Sequence, residues 1–94
     1  MPTRILRLSE RFNRAVRRLG VAGTPAGQAL ASTLVSMQQE TLPGPLDAEA
    51  MMPPTAIYWF RRIPGQNLWL YFSWSNTELY AVSLTARPPV PLSN

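Results

Sequence analysis

The sequence predicts a single α+β domain in the order β-α-α-β-β-β, an antiparallel sheet with a helical hairpin packed on one face. Three observations predict it. Residues 56–87, AIYWFRRIPGQNLWLYFSWSNTELYAVSLTAR, hold three short apolar and aromatic runs split by two turn signals, Pro64-Gly65-Gln66-Asn67 and Ser75-Asn76-Thr77. Runs of this kind read as a three-stranded meander. The segment before them repeats apolar side chains at helical spacing instead. Finally, 94 residues with 46% apolar content make one domain, residues 1–94, with a modest core. A sheet covered on one face is about what such a core can fill.

The elements follow in chain order. Residues 3–8, Thr-Arg-Ile-Leu-Arg-Leu, fit a short strand. Ser9 is a good N-cap, and Glu10 in the first turn complements the helix dipole. The first helix runs to about Leu19, with Phe12, Val16 and Leu19 on one face and Ala15 beside them. Arg11, Arg14 and Arg18 form a row on the opposite side. Gly20 ends the helix. Thr24-Pro25 is the next start signal, an N-cap followed by proline at the first helical position. The second helix runs to about Gln39, with Ala26, Leu30, Thr33 or Leu34, and Met37 as its apolar stripe. The short connection through Gly20 and Gly23 makes the two helices an antiparallel pair. Leu42-Pro43-Gly44-Pro45 stops the second helix.

Residues 43–55 form a proline-rich loop, mobile or functional by its length, with Met51 and Met52 packing down as a flap. The meander strands fall at about 56–62, 67–74 and 78–85. In the middle one, Leu68, Leu70, Phe72 and Trp74 share a face suited to the helices. Asn67, Trp69, Tyr71 and Ser73 share the other. Residues 88–94 are an extended tail whose prolines cannot continue a sheet.

Composition narrows the chemistry. There is no cysteine and no histidine, which removes disulfides, thiolate nucleophiles and the commonest acid/base and metal ligand. No metal or cofactor site is expected. The nine basic residues are all arginine, so the N-terminal amine is the one amine for Schiff-base chemistry. Arginine instead suits bidentate contact with phosphate or carboxylate. Six arginines against Glu10 in residues 1–20 point to nucleic acid or an acidic partner. The bland alternative is a solvated helix face. No apolar run is long enough to span a membrane, and a secretory signal is not expected.

The opening strand followed by S-E-R-F-N-R-A-V-R-R-L, and the meander Y-W-F-R-R-I-P-G … L-W-L-Y-F … L-Y-A-V-S-L-T-A-R, resemble the RelE/ParE superfamily of toxin–antitoxin toxins. The resemblance covers roughly residues 3–87. It implies the toxin of a bacterial type II toxin–antitoxin system, cytoplasmic, bound in a hetero-oligomer by a cognate antitoxin. RelE-like members cut mRNA on the ribosome as endoribonucleases and so inhibit translation. ParE-like members inhibit DNA gyrase without catalysis. A catalytically degenerate antitoxin-binding module of the same fold is the third possibility.

Carried over residue by residue, the RelE-like basic positions of the first meander strand fall on Trp59 and Arg61. A further arginine falls near Asn67, and the arginine that ends the last strand matches Arg87. The family's C-terminal tyrosine has no counterpart in the proline-rich tail. The resemblance thus implies Arg61 and Arg87 as a catalytic phosphate clamp. Its alternative is that one of them pairs with Glu78 or with the C-terminal carboxylate, or that both merely flank the sheet. Trp59, Trp69 and Tyr71, on the open face, would stack bases, lie under an antitoxin segment or pack beneath the 43–55 loop. Arg11, Arg14 and Arg18 would meet RNA backbone. Without histidine or lysine no general base stands out, since arginine does not readily deprotonate.

Overall fold

A computed structural model describes residues 3–52 and 56–92. The N-terminal amine, residues 53–55 of the proline-rich loop and residues 93–94 of the tail lie outside the described residues. The elements are β1 (Ile5–Leu8), α1 (Glu10–Leu19), α2 (Pro25–Met37), β2 (Ala48–Met52), β3 (Ala56–Arg62), β4 (Trp69–Trp74) and β5 (Glu78–Thr85). Two helices and a five-stranded sheet of order β1-β5-β4-β3-β2 make the α+β fold. Among the described residues no helix is long and apolar enough to cross a membrane.

The helix boundaries follow local chemistry. The Ser9 hydroxyl accepts the Phe12 amide at 2.9 Å, capping α1. Gly20 closes α1 in the left-handed region at φ 64°, returning its N–H to the carbonyls of Val16 and Arg17. Only glycine enters that region without strain. The Thr24 hydroxyl accepts the Gly27 amide at 3.1 Å, and Pro25 starts α2 where a missing N–H costs nothing.

Two features of the sheet differ from the sequence reading. The 43–55 segment is not a loop throughout, because β2 lies within it and pairs antiparallel with β3, Ala50 opposite Tyr58. Its Ala-Glu-Ala-Met-Met sequence has low strand propensity. Pairing with β3 and burial of Ala50 and Met52 override that propensity. The sheet is also mixed, since β1 runs parallel to β5, Leu6 opposite Leu79. The remaining pairs are antiparallel.

The main core lies between the helices and one sheet face, called here the inner face. Phe12, Leu30, Leu34 and Met37 pack there against Leu70, Phe72, Leu79 and Leu84. Trp59 and Trp74 close its margin, with ring centroids 5.8 Å apart. A smaller cluster sits on the outer face: Ala50, Met52 and Tyr71, with Tyr58, Phe60 and Val82 against them. The tail runs back to the outer edge of β2, where Pro91 bridges Ala50 and the Leu92 amide donates to the Glu49 carbonyl at 2.9 Å. The chain bends at Ala86 and Arg87 as it leaves β5. Pro91 occupies the edge position, where a missing N–H is tolerated.

Candidate functional site

Register decides which side chains share a face. The Pro64–Asn67 turn is closed by the Ile63 amide donating to the Leu68 carbonyl at 2.8 Å. From that closure, Arg61 lies opposite Leu70 and Trp59 opposite Phe72. Both partners belong to the inner core, so Trp59 and Arg61 face the helices. This corrects their expected outward placement. A four-residue turn makes paired numbers sum to an odd value, so odd residues of β3 share a face with even residues of β4.

Arg61 is held there by carboxylates. Its Nε donates to Asp47 Oδ1 at 2.6 Å and its Nη2 to Asp47 Oδ2 at 2.9 Å. Its Nη1 donates to Glu40 Oε2 at 3.2 Å. The Arg61 side chain is 8% exposed and that of Asp47 is 0% exposed. Hydrogen bonding to Asp47 outweighs burial and holds the guanidinium well above its ordinary pKa. Arg61 and Arg87 are thus on opposite faces and form no clamp; Arg61 fastens the 40–47 segment to the sheet.

The outer face has a different composition. A β-bulge between Tyr71 and Phe72 shifts the β4–β5 register, so Phe72 faces Ala81 while Tyr71 faces Ser83. Val82 is the extra residue. An unbroken ladder would have set Ser83 opposite Leu70 in the core. The bulge instead turns Ser83 outward and drops Leu84 inward, the re-aiming that bulges provide. The bulge also seats α1. The Ser9 amide donates to the Ala81 carbonyl at 3.0 Å, and the Ser9 hydroxyl donates to the Val82 carbonyl at 2.6 Å. From this anchor α1 runs along β5.

Between α1 and the outer face lies a cleft of about 200 Å³, lined by Arg11, Ala15 and Arg18 of α1, Met52, Tyr71, and Ser83, Leu84 and Thr85 of β5. Residues 11, 15 and 18 fall on one helical stripe, and the small Ala15 lets the helix approach. The row expected to face away from the core therefore divides. Arg11 and Arg18 line the cleft, whereas Arg14 is exposed and does not. A second hollow of about 280 Å³ adjoins it, lined by Met51, Tyr71, Thr85 and tail residues Arg87–Val90. Tyr71 and Thr85 belong to both. Arg87 thus stands beside the cleft, and its amide donates to Thr85 Oγ1 at 3.1 Å.

Tyr71, expected as an outward aromatic, is 5% exposed. Desolvation raises its phenol pKa, and the nearby Arg11 charge partly offsets this. Trp69 is half-buried, with the Arg62 guanidinium 5.5 Å from its ring centroid. Asn67 lies in the turn before β4, where its Oδ1 accepts from Arg62 Nη2 at 3.3 Å. Arg62 therefore engages both, and neither lines the cleft. Among the described residues no group of three or more acids, histidines or cysteines is placed to hold a metal ion.

The structure brings together Arg11, Arg18, Tyr71 and Arg87. It leaves out Arg14, Trp59, Arg61, Asn67 and Trp69. Sequence reasoning missed Ser83 and Thr85. Their signal was a phase change in β5, from apolar Leu79 and Ala81 to apolar Leu84, which marks an inserted residue.

No protein-family model and no curated protein matches the chain. Among solved structures it is similar to YafQ from E. coli strain BL21(DE3). The TM-score is 0.62 at 15% identity, covering 86% of this chain and 90% of that one. The chain has the fold of that protein.

Proposed function

We propose that this chain is the toxin of a bacterial type II toxin–antitoxin pair, a RelE-like ribosome-dependent mRNA endonuclease held inactive by a cognate antitoxin. The cleft carries the proposal: among the described residues its lining offers two guanidinium groups, three hydroxyls and no carboxylate. Such a lining suits an anionic backbone, and arginine matches phosphate oxygens bidentately. The RelE/ParE-like motifs and the fold shared with YafQ, a RelE-family toxin, support the class of function. The short helices, α1 of 10 residues and α2 of 13, favour the RelE-like branch over gyrase inhibition. Action on ribosomes places the protein in the cytoplasm.

Cleavage of this kind needs charge stabilisation at a pentavalent phosphate and proton transfer at the 2′- and 5′-oxygens. Arg11 and Arg18 supply the first, with Arg87 at the rim. Arg61 takes no part, because its donors are engaged by Asp47 and Glu40 on the opposite face.

Induced expression in a bacterial host tests the proposal. Growth arrest with transcripts cut in the ribosomal A site supports it. Arrest with an SOS response and intact transcripts would transfer the function to gyrase. Normal growth with soluble protein would overturn both and leave an antitoxin-binding module.

A further inference from the structure

We infer that Tyr71 is the proton donor to the leaving 5′-oxygen of a ribonucleotide phosphodiester held by Arg11 and Arg18. This rests on the RNA-cleaving function proposed above and assigns its acid.

Elimination on the structure leads to Tyr71. The chain has no histidine, lysine or cysteine, so among the described residues a proton must come from an acid, a tyrosine or solvent. The acids are placed elsewhere. Asp47 and Glu40 bind Arg61 beneath the helices. Glu78 binds Arg7 and accepts from the Tyr80 hydroxyl at the other end of β5. Glu10 is exposed in the first turn of α1, and Glu49 is exposed on β2; neither lines the cleft. Of the tyrosines, only Tyr71 lines it.

The surroundings of Tyr71 suit an acid. The phenol is desolvated, which holds its proton in place at neutral pH. It sits within the field of Arg11, so the phenolate formed during transfer meets a cation. A phosphate held by Arg11 and Arg18 lies within the same cleft of about 200 Å³ as Tyr71.

The step balances. The ribose 2′-oxygen bonds to phosphorus and its proton leaves to water at the open mouth of the cleft. The bond from phosphorus to O5′ breaks, its electron pair goes to O5′, and the Tyr71 proton neutralises it. The products are a 2′,3′-cyclic phosphate and a 5′-hydroxyl. Water then reprotonates the phenolate.

The test uses the full chain on ribosomes carrying a short mRNA, under single-turnover conditions. One mRNA has an ordinary 5′-oxygen at the scissile bond; the other has sulfur there, which leaves without a proton. Tyr71→Phe should cut the oxygen substrate about 100-fold or more slowly than wild type, the range of general-acid catalysis. It should cut the sulfur substrate within a few-fold of wild type. Arg18→Ala should be slow on both. Wild type should gain little from sulfur, a measurement that holds even if Tyr71→Phe folds poorly. Tyr71→Phe at wild-type rate on oxygen overturns the assignment alone, as does a wild type accelerated about 100-fold by sulfur. Rescue of Arg18→Ala by sulfur also overturns it, since the effect would not be specific to the acid. A wild type that cleaves neither substrate overturns the nuclease function and the assignment with it.

Discussion

Removing the Arg61 guanidinium should destabilise the fold and leave the chemistry of the cleft untouched. Arg61 makes a two-bond fork to Asp47, whose side chain is 0% exposed, and a further ion pair to Glu40. Arg61→Ala takes the guanidinium away from an Asp47 carboxylate that is buried in the fold. Breaking a buried pair in this way costs about 3–5 kcal/mol. A domain of this length has a total stability of only about 5–14 kcal/mol. At about 4–8 °C per kcal/mol, the melting temperature should fall by at least ~12 °C. The double replacement Arg61→Met with Asp47→Leu removes both charges and should recover most of the loss, since apolar replacement of a buried pair is often neutral or better. Thermal and urea unfolding followed by circular dichroism measure both. A melting temperature for Arg61→Ala within about 2 °C of wild type, an effect under 1 kcal/mol, would refute the structural role. Loss of toxicity without loss of stability would return Arg61 to the active site.

Three further outcomes follow from the same contacts. Hydrogen bonding from Arg61, aided by Ser36, holds the Glu40 pKa below its ordinary 4.5 in the fold. A depressed folded pKa gives stability that is present above the unfolded value and lost as pH falls through the folded one. Stability should therefore decline below about pH 4.5, and Glu40→Gln should show a shallower acid decline in urea midpoints. Ser9→Ala removes the cap on Phe12 and the bond to Val82; unfolding should show a loss of about 1–2 kcal/mol. Gly27→Ala would place a Cβ 2.2 Å from the Val21 carbonyl oxygen. The helix-propensity gain of about 1 kcal/mol should be outweighed by a backbone clash of about 1–3 kcal/mol or more, read as a lower melting temperature.

Local signals made the elements legible. Ser9, Gly20, Thr24 and Pro25 each announce a helix end, and each is found at that end. β2 was hidden because its propensity is poor and its cause is tertiary, the pairing with β3. The faces of β3 were recoverable. The turn Pro64–Asn67 was identified in the sequence, and its four residues alone imply Ile63 opposite Leu68. Carrying that parity forward puts Trp59 and Arg61 inside. The cleft was less legible, because a bulge at Val82 turns Ser83 and Thr85 toward α1. The stripe Arg11, Ala15, Arg18 also lies at a boundary between core and solvent. A basic row reads as a solvated face until the sheet beside it is known.

The central claim is that the α1 arginines lining the cleft beside the outer face, and not the meander arginines, carry the function. Growth after induced expression of Arg11→Ala with Arg18→Ala tests it most directly, with soluble folded protein matched to wild type by melting temperature. The cleft predicts that wild type arrests growth and that the double variant grows without transcript cleavage. Arrest by the double variant as strong as wild type would contradict it.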